Sequence, residues 1–152
     1  MMDTFDTSTT DADPGSGDIR FNNGTYASAT AIYIDDADAN GVTTQADTIT
    51  WDDSNSTNRG VLHIVDTDDP TTYVRFKITG ASTDASGYNK LTVVHLTSNN
   101  TFSASDILSV HFTRTGDKGA LPGYNYNFDT GTSDTDPGAG EIAFNNGTYA
   151  SA

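Results

Sequence analysis

The 152-residue chain has no cysteine, so disulfides, thiolate metal ligands and a thiol nucleophile are all excluded. Basic residues are scarce: 7 Lys and Arg stand against 21 Asp and Glu, a formal charge of −14. Such a balance repels nucleic acid, whose phosphates need neutralising Lys and Arg, and it disfavours an anionic membrane surface. No apolar run approaches the roughly 20 residues that span a bilayer, so no membrane insertion is expected. The opening MMDTFDTSTT lacks the basic start and apolar stretch of a secretory signal. Apolar residues at helical spacing are missing as well. So are a Gly-rich phosphate loop and a nucleophile elbow, and the reading is non-enzymatic. Carboxylates are numerous enough for a glycosidase pair, but they cluster in turns, where water solvates them.

What is present is short strand-like runs between turn clusters. Candidate strands cover 18–22, 30–34, 48–51, 60–66, 72–79, 90–97 and 108–115. Alternation assigns their faces: Leu108, Val110 and Phe112 point one way and Ser109, His111 and Thr113 the other. In TYVRFKIT, Val74, Phe76 and Ile78 oppose Tyr73, Arg75 and Lys77. About seven antiparallel strands, each with one apolar face, predict an all-β unit, a β-sandwich of jelly-roll or immunoglobulin-like size.

The second positive feature is repetition. Residues 128–152 repeat 5–29 at an offset of 123, and six of the 25 positions differ: Ser8/Gly131, Thr10/Ser133, Ala12/Thr135, Ser16/Ala139, Asp18/Glu141 and Arg20/Ala143. A period of that length is a whole domain, not a solenoid repeat. The organisation expected is a leader at 1–4, a sandwich unit at 5–115, a Gly/Pro linker at 116–127 and the start of a second unit at 128–152. Gly116 and Gly119 have collagen spacing for one step, which fails at Pro122, so no triple helix is expected in this chain. The truncated second copy cannot make a core alone. Phe128, Ile142 and Phe144 are its candidate assembly residues, for association with neighbouring copies, strand exchange included.

Three further groups are candidates. Asp36, Asp38, Asn40 and Asp47, with Gly41, match the spacing of a calcium loop; the same residues also make an acidic β-turn, and any Ca²⁺ there would be structural. Tyr26, Tyr73 and Tyr88 are candidates for stacking on host-surface glycans. His63, His95 and His111 lie in three different strands and read as structural.

FDTSTTDADPGSGDIRFNN, ATAIYIDDADANG, ITWDDSNSTNRGVLHI and VHFTRTGDKGA together resemble a repeated domain of bacteriophage tail-fibre-like proteins, where it stands between collagen-like stretches. The resemblance implies a structural and attachment role in an extended fibre, at a virion surface or outside a cell. It brings no catalytic residues. The other reading open at this point is a calcium-stabilised carbohydrate-binding or adhesin module of a secreted bacterial protein.

Overall fold

Alternating apolar residues decide where the strands lie and which way each faces. In the computed structural model, which describes residues 1–119, 127–136, 138–145 and 148, Met1–Lys118 form one unit and Gly119–Ala152 another. The first unit contains β1 (Met2–Phe5), β2 (Asp18–Phe21), β3 (Ala31–Asp35), β4 (Gly60–Asp66), β5 (Tyr73–Ile78), β6 (Thr83–Asp84), β7 (Tyr88–Asn99) and β8 (Ile107–Arg114). The strands run in the order β3-β2-β1-β8-β4-β5-β7, and β7 returns to β3. The all-β expectation holds. The ring is a closed seven-stranded barrel, antiparallel except for the parallel pair β1–β2.

Closure is the difference from the expected two-sheet sandwich, and β7 explains it. This strand is 12 residues long and serves two neighbours. Tyr88 to Thr92 pair with β3, and Val93 to Asn99 pair with β5. Within the second half, Arg75 faces Thr97 while Phe76 faces His95, leaving Leu96 as an extra residue that bends the strand. A second difference lies at the start of the chain. Met2–Phe5 is not a leader but the strand that completes the ring, with Met2 opposite Ser109 and Thr4 opposite Ile107 on β8. On its other side Phe5 pairs with Ile19 of β2.

A third difference concerns 48–51, which folds as an α-helical turn, α1 (Gln45–Thr48), running into a 3-10 turn, Ile49–Asp52. The alternation of Ile49 and Trp51 mimics a strand, but local bonds decide otherwise. Trp51 Nε1 donates to Asp47 Oδ2 at 3.1 Å, four residues back, and its ring stacks on Phe112 at 5.0 Å. Residues 116–118, expected to begin the linker, are held by the loop before β4. There Asn55 N–H donates to Asp117 Oδ1 at 3.1 Å. The rest of that linker, 120–126, lies outside the described residues. Among the described residues no helix is long and apolar enough to cross a membrane.

On β5 and β8 the alternation names the inward positions, and β4 and β7 add their own. Leu62, Ile64, Val74, Phe76, Ile78, Leu91 and Leu108 are fully buried. One end of the core is aromatic: Phe21 meets Phe5 at 5.2 Å, Tyr26 at 5.0 Å and Phe76 at 5.3 Å, with tilted or edge-on rings. The Tyr26 hydroxyl accepts the buried Phe102 N–H at 2.8 Å. Removing that acceptor strands a buried donor. Tyr26→Phe is therefore expected to cost about 1–3 kcal/mol, read as a lower urea midpoint with an unchanged slope.

Candidate functional site

The loop after β3 is the candidate cation site of the sequence; Asp38 and Asp47 spend their carboxylates on local bonds, while Asp36 Oδ1 is buried without a hydrogen-bond partner. Asp38 Oδ1 accepts the backbone N–H groups of Asn40 and Val42, each at 2.9 Å. These bonds, that from Val42 first, hold the Asp38 carboxyl below the usual carboxylate range. Asp47 receives Trp51 Nε1, and Asp36 is shifted upward by burial and by Asp84. Ala37 bridges Thr43, and Gly41 takes φ +76°. The loop is thus a self-bonded turn of the kind Asp and Asn favour. No cluster of three or more His, Cys, Asp or Glu side chains able to hold a metal ion occurs among the described residues.

The three tyrosines do not form a common platform. Tyr26 lies in the core, where burial pushes its phenol up to about 12. Tyr88 is buried too, edge-on to Tyr33 at 6.1 Å, with its hydroxyl on Asp11 Oδ1 at 3.0 Å. Neither can offer a ring face to a sugar, which corrects the expectation for both. Tyr73 alone is half-buried, edge-on to His63 at 5.9 Å. His63 and His111 are cross-strand neighbours, while His95 bonds to Ser98 on its own strand at 3.0 Å. Burial, then Arg75, then His111 hold the His63 imidazole below its usual range.

The remaining candidates, Phe128, Ile142 and Phe144, sit on a second, smaller construction. In the second unit β9 (Asn127–Asp129) and β10 (Glu141–Ala143) form a parallel pair, with Asn127 opposite Glu141 and Phe128 opposite Ile142. Shifted back by 123 residues, these are Thr4 opposite Asp18 and Phe5 opposite Ile19, the register of β1–β2. The connecting loops match as well. Gly15 N–H donates to Asp13 Oδ1 at 2.9 Å, and Gly138 N–H to Asp136 Oδ1 at 2.9 Å. Thr4 N–H reaches the Gly17 carbonyl at 2.8 Å, as Asn127 N–H reaches that of Gly140 at 2.8 Å. Gly17 and Gly140 take φ +80° and +77°, a conformation that side chains other than glycine rarely tolerate. One sequence has produced one local structure twice.

The surroundings of the two copies differ. In the barrel, Phe5, Ile19 and Phe21 are 6%, 0% and 2% exposed; their counterparts Phe128, Ile142 and Phe144 are 47%, 45% and 39% exposed. Around the first copy, β8 flanks β1 and β3 flanks β2, whereas among the described residues the sheet containing β9 and β10 has two strands.

One residue that sequence reasoning passed over stands out at the barrel copy. Asp3 faces the same way as Phe5, is fully buried, and has no hydrogen-bond partner at either carboxylate oxygen. Burial above all, and then the charge of Asp38, push its carboxyl up to about 7. Asp3 lies two residues before the repeated segment, and the residue 123 positions on is Tyr126, so the repeat gave no signal for it. Comparison with protein-family models, curated proteins and solved structures finds no match.

Proposed function

We propose that the chain is a non-enzymatic structural module of an extended, tail-fibre-like assembly, in which barrels of about 123 residues follow one another along one polypeptide. The observation that carries this reading is the second copy. It begins a further unit in the same strand register as the first, soon after the first barrel is complete. The barrel supports the role in a second way, because ring closure gives each of its seven strands a partner on both sides along at least part of its length. Closed sheets resist unspecific edge pairing, which suits modules held close together. Host-surface attachment remains the other half of the proposed role, with Tyr73 the tyrosine placed for sugar contact.

The test is small-angle scattering on a chain carrying residues 5–127 three times in tandem. A domain of this length is about 35 Å across, so an extended array is expected to reach about 100 Å. A single globule near 55 Å, the size expected for about 370 residues packed together, would overturn the reading.

A further inference from the structure

We propose that the strand pair β9–β10 of one chain takes the place of β1–β2 in the barrel of a second copy, setting β9 beside that copy's β8 and β10 beside its β3. The proposal names how neighbouring copies meet, and it rests on the reading of the chain as a joining module.

The first argument is which contacts the donated pair can remake. The barrel copy bonds to the rest of its unit through Gly17 N–H to Asp35 Oδ1 at 3.0 Å, through Asp11 to Lys90 at 2.8 Å, and through Asp11 to Tyr88. The second copy supplies Gly140 and Asp134 at those positions. Its Phe128, Ile142 and Phe144 repeat the residues that Phe5, Ile19 and Phe21 bury in the core.

The second argument is where the copies differ. Thr10, Ala12 and Ser16 are exposed loop positions, and Ser8 and Asp18 are half-buried. Arg20 is the buried exception. Its guanidinium bonds to the carbonyls of Thr10, Ala12 and Asp13 and pairs with Asp6, all within the repeated segment itself. Replacing it by Ala143 therefore loosens the segment's own loop and leaves its docking face intact. Two positions before that segment the exchange favours the newcomer. Tyr126 would stand where Asp3 now buries a carboxylate without a partner.

The absence of native cysteine makes a clean test possible. Thr4 and Ile107 are directly opposed on antiparallel strands. Met1 and Val110 exchange backbone bonds, so Thr4 and Ile107 fall on a non-hydrogen-bonded pair, the close spacing a disulfide needs. In the exchanged state Asn127 takes the place of Thr4. The double variant Ile107→Cys with Asn127→Cys, oxidised with glutathione disulfide, is expected to give disulfide-linked dimers and a ladder of higher species on a non-reducing gel. Adding Phe128→Asp, which leaves the barrel sequence untouched, is expected to cut that linked fraction at least tenfold.

A disulfide confined to monomers would place the pair in its own barrel and overturn the proposal. So would no disulfide at all, or a ladder that Phe128→Asp leaves unchanged. The tandem scattering experiment needs no exchange, so the two readings fail separately.

Discussion

Replacing Phe76 by alanine is expected to lower the stability of the first unit by about 3–5 kcal/mol, the usual cost of emptying a phenylalanine site in a packed core. Phe76 is fully buried at the middle of β5 and meets the edge of Phe21 at 5.3 Å and His95 at 5.9 Å. Phe21 reaches it from β2 across the ring and His95 from the adjoining strand β7, so filling the space would need more than one strand to move. With total stabilities of domains near 5–15 kcal/mol, the variant should lose a large share of its folded population on mild heating. Chemical denaturation followed by the fluorescence of Trp51 reads the effect directly. The comparison that gives it meaning is Phe128→Ala, at the equivalent of a core position but 47% exposed. There the same measurement should move by less than about 0.5 kcal/mol. Equal losses at both sites would show that burial is not what separates them.

Asp3→Asn should act in the opposite direction, and only in part of the pH range. An aspartate ordinarily titrates near 3.8, and burial with the nearby Asp38 raises this one to about 7 in the folded chain. Between those values the native state holds a proton that the unfolded chain has released, so stability falls as pH rises through that window. Below it the carboxyl is neutral in both states and nothing is lost. Above it the folded protein holds a charge among buried groups, at a cost of about 4 kcal/mol by the usual conversion. Asparagine cannot ionise. The variant should therefore be more stable than the parent by up to about 4 kcal/mol at pH 8 and by less than about 1 kcal/mol at pH 4. Melting curves across that range check the shape. A gain that is the same at both ends would mean that packing, not ionisation, makes Asp3 costly.

These residues also show what could be read in the sequence and what could not. β4, β5 and β8 were legible almost to the residue: Val74 to Ile78 and Leu108 with Val110 alternate with outward polar or partly polar groups, while β4, with Val61 and Val65 outward of Leu62 and Ile64, was legible as an apolar run between turns. β1 was not, because its core-facing positions hold Asp3 beside Phe5 and its apolar signal is a single residue. The helical turn at 45–52 was hidden for the opposite reason: Ile49 and Trp51 alternate like a strand, and only the bond from Trp51 to Asp47 gives the turn away. Ring closure could not be seen either. It depends on β7 giving each half of its length to a different neighbour, which periodicity does not encode. The likeness of Phe128, Ile142 and Phe144 to Phe5, Ile19 and Phe21 was legible through repetition alone. The carboxylates of the 36–47 loop illustrate the converse. Ligand spacing was present, yet Asp38 found backbone donors within the loop and Asp47 the Trp51 ring nitrogen beyond it.

The pairing of β1 with β8 joins the two extremes of the first unit. As the polypeptide leaves the ribosome, β1 must wait for residues 107–114 before it finds its neighbour, a long-range closure of the kind that makes β-folds slow. By then β9 is still inside the ribosome, so each newborn barrel first meets its own opening strand. Under the proposed exchange, trading that strand with a neighbour is a later step, timed by how often β1 peels away from a finished ring.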